Sequence, residues 1–117
     1  SAASDVYKRQ DRIRVRSIIG RLLEHSRVFY FYNNGKEDLY ISSADWMIRN
    51  MFNRVETCVP IENKSLKRRI VEESFTLALD DNQLAWDMQP DGIYKRAPYD
   101  AKTQTPCNLQ ESLFEKF

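Results

Sequence analysis
The densest apolar stretch of the chain is Val28-Phe29-Tyr30-Phe31-Tyr32. Its β-branched and aromatic residues predict a strand. Asn33-Asn34-Gly35-Lys36 follows, and Asn-Gly tolerates the positive φ angles of a tight hairpin turn, so Leu39–Ser43 is expected to return as a second strand. Between Arg54 and Pro60, Val55, Thr57 and Val59 alternate with Glu56 and Cys58, the pattern of a third strand. Ser17 is placed to cap a helix to about Glu24 that buries Ile18, Ile19, Leu22 and Leu23. A longer helix is expected from Lys64 to Leu79, with Asn63 or Ser65 as N-cap. Leu66, Ile70, Ser74 and Leu77 form its stripe, with Val71 and Ala78 beside it. Leu84–Met88 and Ile93–Arg96 read as a second hairpin about Pro90-Asp91-Gly92. Asn108 with Glu111 makes a capping-box-like start to a terminal helix, Leu109 to about Phe117. Residues 1–10 carry no periodicity and read as a tail or as sequence foreign to the domain. The expected class is α/β, a mixed sheet flanked by helices, without internal repeat or low-complexity segment.

Composition changes this picture little. A chain of 117 residues is one domain or part of one. Hydrophobic content of 42% and aromatic content of 12% suffice for a small core. Eighteen basic residues against 17 acidic ones leave no global signature of polyanion binding, so a nucleic-acid partner is not expected. Basic residues cluster locally instead, at Arg12, Arg14, Arg16 and Arg21 and again at Lys64, Lys67, Arg68 and Arg69. Cys58 and Cys107 form no CxxC and read as reduced thiols. No apolar run approaches the roughly 20 residues of a membrane span, and no signal-peptide pattern is read at the start.

The candidate chemistry lies at the mouth of the first hairpin. His25 and Arg27 stand two residues apart before the aromatic strand, and Ser42-Ser43-Ala44-Asp45 returns beside them. A two-residue turn pairs residues so that Arg27 faces Ser42 and His25 faces Ala44. A loop one residue longer sets Arg27 against Ser43 and His25 against Asp45. Opposed Cβ atoms lie roughly 4.5–5.5 Å apart, and a slip of one residue turns a strand over. Taken singly, each residue has a plain structural reading. His25 suits a strand-end surface histidine, and Arg27 a pair with Glu24 or Asp38. Ser42, Ser43 and Asp45 suit a strand end and helix cap, and Trp46, Met47 and Met51 the core. Taken together, an imidazole, a guanidinium, hydroxyls and a carboxylate at one end of a hairpin favour a phosphate site.

The stretch from Arg12 to Arg96 resembles the C-terminal catalytic domain of bacterial polyphosphate kinase. The matching stretches are Ile13-Arg14-Val15-Arg16-Ser17-Ile18, Leu23-Glu24-His25-Ser26-Arg27, Tyr40-Ile41-Ser42-Ser43-Ala44-Asp45-Trp46-Met47 and Arg49-Asn50. Arg54-Val55-Glu56, Pro60, Leu66-Lys67 and Asp81-Asn82 add weaker matches in the same order. The family's two C-terminal domains look like phospholipase D halves, and His25-Ser26-Arg27 and Ser42-Ser43-Ala44-Asp45 look like altered forms of that superfamily's two motifs. The resemblance favours the longer-loop register.

It also implies a function. Family members transfer the γ-phosphoryl group of ATP to polyphosphate, reversibly and with magnesium. A phosphohistidine forms on the neighbouring catalytic domain. The histidine matching His25 lies across the site and touches nucleotide phosphates as acid or ligand. Arg27 would bind phosphate or orient His25, while Ser43 and Asp45 would fix the imidazole tautomer. No metal ligand is expected here, because the magnesium-binding residues lie elsewhere in the family's enzymes, which are several times longer. Residues 1–11 would then be a non-family tail or artefact, 12–97 part of the C-terminal catalytic domain, and 98–117 a variable tail with the terminal helix. The implied partners are ATP, ADP and polyphosphate. The implied parent is a homo-oligomer in the cytoplasm, or associated with the membrane surface. The rival expectation is a non-catalytic α/β module that binds a phosphorylated ligand or a partner protein.

Overall fold
The computed structural model describes residues 12–117, so the reading of residues 1–10 as a tail lies outside it. The chain divides into two compact units. One is Glu24–Phe75, and the other joins the residues up to Leu23 with Thr76–Phe117.

In the unit Glu24–Phe75, β2 (Val28–Asn33), β3 (Lys36–Ser42) and β4 (Cys58–Pro60) form an antiparallel sheet in that order. The hairpin turns on Asn34 and Gly35, at φ of 50° and 91°. Two consecutive positive φ angles match the right-handed twist of the strands, the reason Asn-Gly is favoured there. Val28 faces Ile41 and Asn33 faces Lys36, so the shorter loop is the one formed. The longer-loop register favoured by resemblance is thereby corrected. Two positive-φ residues complete the turn, leaving no third residue to slip the strands. Leu39 is buried at the sheet centre. Aromatic rings gather about the hairpin: Phe29 stacks on Trp46 at 5.7 Å and Tyr30 meets Phe75 at 6.1 Å. α1 (Ile48–Asn53) follows β3, but its N-cap is Met47, which makes no side-chain cap bond, and not Ser42, Ser43 or Asp45 as the plain reading of those residues has it. α2 (Lys64–Ile70) begins at Asn63, whose side chain accepts from the Leu66 N–H, as expected of that N-cap. Lys67 Nζ donates to the Glu37 carbonyl at 2.6 Å and ties α2 to β3.

In the other unit, β1 (Arg16–Ile18), β5 (Ala85–Met88) and β6 (Tyr94–Arg96) form a second antiparallel sheet, ordered β1-β5-β6. The β5–β6 hairpin forms as read, with Gly92 at φ 84° and the Ile93 N–H donating to Asp91. α3 (Leu77–Asp80) precedes β5, and α4 (Leu109–Lys116) starts at Asn108, which accepts from the Glu111 N–H. Two charged side chains organise this unit. Arg16 grips Asp87 with Nε and Nη2, at 2.7 and 3.1 Å, and Nη1 reaches the carbonyls of Leu79 and Asp81. A cation at a helix C-terminus meets the negative end of the dipole and satisfies orphan carbonyls. Asp81 is 1% exposed. Its Oδ1 accepts from the N–H groups of Gln83, Leu84 and Ala85, and its Oδ2 from that of Leu109.

The class is α/β, as expected, and every strand pairing among the described residues is antiparallel and shared between two sheets. Other expectations are corrected. Ser17–Glu24 is not a helix. Arg16–Ile18 pairs with β5 instead, supported by Ile19 N–H to the Leu84 carbonyl and Met88 N–H to the Val15 carbonyl. Non-local pairing overrides a weak helical period. Gly20 also passes so close to the Gln110 amide that a Cβ would collide with it. The third strand shrinks to Cys58–Pro60. The helix from Lys64 runs to Asp80, but through a π-helical stretch, Val71–Thr76, between α2 and α3. Trp46, Met47 and Met51 are exposed rather than core.

Asp81→Ala leaves four backbone N–H groups without their acceptor in a buried place. It should therefore destabilise the protein by about 3 kcal/mol or more. Urea unfolding checks this, and an unchanged midpoint would contradict it.

Candidate functional site
Arg27 precedes β2, and the Ser42 N–H donates to its carbonyl at 3.0 Å, one rung beyond the β2–β3 ladder. Its side chain is half-buried. Nε donates to Asp45 Oδ1 at 2.6 Å, and Nη1 to the His25 carbonyl at 2.9 Å. A guanidinium carries five N–H donors. Two are engaged here, and three stay open among the described residues. The bond with Asp45 raises the Arg27 pKa. Arg27 in turn holds the Asp45 carboxyl below its ordinary range, with burial opposing and Arg49 and His25 adding attraction.

His25 is exposed, and its ring makes no hydrogen bond among the described residues. Ser43 does not reach it. Ser43 Oγ donates to Glu56 Oε2 at 2.5 Å and accepts from the Thr57 N–H at 3.0 Å. Ser42 Oγ donates to the Thr57 carbonyl and accepts from the Ala44 N–H. The structure thus brings Arg27 and Asp45 into contact, with His25 joined to them through its carbonyl. It assigns Ser43 to the loop before β4. The tautomer-fixing bonds expected of Ser43 and Asp45 are not formed here, because Asp45 is spent on Arg27 and Ser43 on Glu56.

Glu56, which the sequence pattern does not mark, joins this edge. It binds Ser43 and also attracts Arg27. Its place in the Arg54-Val55-Glu56 match was the only signal available. Among the described residues no group of three His, Cys, Asp or Glu side chains could hold a metal ion. No helix among them is long and apolar enough to cross a membrane.

A family model described as polyphosphate kinase C-terminal domain 2 matches residues 1–110. The chain belongs to the polyphosphate kinase family. It is 56% identical over 104 residues to a polyphosphate kinase of Neisseria meningitidis serogroup B and 53% identical over 107 residues to one of Paraburkholderia phytofirmans. These matches cover 89% and 92% of this chain. It spans 15% of the length of each. The crystal structure of polyphosphate kinase from Porphyromonas gingivalis superposes with a TM-score of 0.81 at 35% identity, over 92% of this chain and 16% of that one. His25, Arg27, Ser43, Asp45 and Glu56 all fall inside the span matched by the polyphosphate kinase family model.

The Arg27–Asp45 bond gives this polyphosphate kinase segment an acid-sensitive joint. The folded Asp45 carboxyl titrates below its unfolded value. The stabilisation is therefore complete above the unfolded carboxylate pKa and is lost as the pH falls through the lowered folded one. The stability gap between wild type and Asp45→Asn should close across that acid window. Thermal melts at stepped pH measure it, and a gap that stays constant would contradict the assignment.

Proposed function
We propose that the chain is part of an ATP:polyphosphate phosphotransferase that reversibly moves the γ-phosphoryl group of ATP onto polyphosphate, and that this segment forms one wall of the active site. The observation that carries the reading is the pair at the hairpin mouth: Arg27, anchored through Nε and one Nη1 hydrogen, beside an exposed imidazole. Membership of the polyphosphate kinase family supports it.

Phosphoryl transfer depends on positioning and on positive charge at the equatorial oxygens more than on a strong base. Asp45 fixes the plane of the Arg27 guanidinium, so the fork can meet phosphate oxygens with little loss of side-chain freedom. His25 is the acid or phosphate ligand, since an imidazole can both exchange a proton and bind phosphate oxygens. Ser43 and Glu56 shape the loop that carries Asp45. Magnesium is held by residues outside this segment, in an enzyme of phospholipase D-like architecture. That enzyme is a homo-oligomer that works in the cytoplasm or at the membrane surface, and its substrates are ATP or ADP with polyphosphate.

The test uses the full-length parent enzyme. His25→Ala should lower kcat/KM by at least about a hundredfold if His25 moves a proton. His25→Lys should restore part of the rate only if the group supplies charge alone, because a lysine pKa of about 10.4 makes a poor acid at neutrality. Arg27→Lys should raise KM for ATP more than it lowers kcat. Near-wild-type kcat/KM for His25→Ala in both directions would refute the site.

A further inference from the structure
The imidazole of His25 is placed by its backbone, because its ring makes no hydrogen bond among the described residues. That backbone belongs to residues 19–27, which form neither helix nor strand between β1 and β2. A connection of this kind is ordinarily mobile, whereas chemistry at a phosphate needs a fixed approach. Downstream, Arg27 Nη1 holds the His25 carbonyl at 2.9 Å. Upstream, the chain is held at Leu22, three residues before His25, and the holder comes from the far end of the sequence. Gln110 Nε2 donates to the Leu22 carbonyl at 2.7 Å, and the Leu22 N–H donates to Gln110 Oε1 at 3.1 Å. One side-chain amide thus closes both backbone groups of one residue, as the opposed residue does in a hydrogen-bonded antiparallel pair.

The clasp is itself held from several sides. Gln110 is 9% exposed, although glutamine is mostly a surface residue. It lies in the first turn of α4, whose start is fixed twice. Asn108 accepts from the Glu111 N–H, and the buried Asp81 accepts from the Leu109 N–H at 2.7 Å. Gly20 leaves room for the amide, since a Cβ there would collide with it. The Ile19 N–H donates to the Leu84 carbonyl at 3.0 Å and pins the start of the same connection. The clasp anchors no apolar core, because Leu22 is 49% and Leu23 83% exposed. What it fixes is the course of the backbone.

We propose that Gln110 is a positioning residue for His25: by holding both backbone groups of Leu22 it sets the course of the chain into the imidazole, and so governs the rate of phosphoryl transfer. The proposal rests on the reading of His25 as the acid or phosphate ligand. Gln110 acts through the chain and not on the substrate. Releasing Leu22 spreads residues 19–24 over more conformations, and the imidazole then meets phosphate in the reactive geometry less often. Arg27 keeps its own anchor on Asp45. The loss therefore falls on kcat, while KM for ATP holds.

The experiment uses the full-length parent enzyme. Gln110→Ala should lower kcat about tenfold and change KM for ATP less than about twofold, within the hundredfold that a misplacement of about 1 Å can cost. Gly20→Ala displaces the amide without altering α4 and should do the same. Gln110→Glu keeps the volume and the acceptor for the Leu22 N–H but loses the donor, so its kcat should fall between; it carries the test if the alanine variant does not fold. The deciding arm repeats each substitution in His25→Ala. A group that acts through His25 then has nothing to act on, and the added loss should be less than about twofold. A merely structural clasp would cost about the same tenfold in both backgrounds, and that result overturns the proposal. A kcat within about twofold of wild type for all three variants also overturns it, as does a loss confined to KM. A near-wild-type His25→Ala enzyme removes the reading of the site and this proposal with it. A crippled His25→Ala enzyme beside unaffected Gln110 and Gly20 variants overturns the clasp's role alone.

Discussion
The site depends on the parity of one hairpin loop. Asn34 and Gly35 both take positive φ, so the turn closes in two residues and Val28 meets Ile41. Arg27 then lies across from Ser42, and its side chain reaches past the strand end to Asp45. One residue more in the turn would reverse which side chains of the returning strand share a face with Arg27. On its other edge β3 pairs Tyr40 to Ser42 with β4, and that register presents Thr57 and Glu56 to the two serines.

The second unit is organised differently. Its small sheet relies on ionic and amide side chains that satisfy backbone groups where the chain changes direction. Arg16 closes carbonyls at the end of α3, Asp81 closes N–H groups between α3 and β5 and at the start of α4, and Gln110 bonds both the N–H and the carbonyl of Leu22. Such groups are costly when left unpaired in a buried place. With the buried apolar residues of this unit limited, among the described residues, to Ala85, Met88, Ala97 and Leu109, these polar clasps carry much of its specificity.

Local chemistry was legible where one residue type has one use. Asn34-Gly35, Asp91-Gly92, Asn63 and Asn108 announced turns and caps, and each formed. Elements decided by distant partners were not legible. Arg16–Ile18 looks helical from Ser17 onward, yet the edge of β5 claims it. Trp46 and Met51 look like core because apolar residues usually are, and only three-dimensional placement shows them facing outward. At the site, the sequence brought His25, Arg27, Ser43 and Asp45 to one place but not the bonds among them. A guanidinium two residues from His25 captured the carboxylate first, and Glu56 became visible only through Ser43.

The π-helical stretch Val71–Thr76 gives the long helix a change of phase. An α-helix advances 3.6 residues per turn, and i→i+5 bonding widens the turn by accommodating an extra residue. Side chains after Thr76 are therefore rotated about the helix axis relative to the continuation of the pattern before Val71. A relative with one residue fewer in this stretch could keep the helix unbroken at both ends, while α3 would meet Arg16 with a different set of carbonyls.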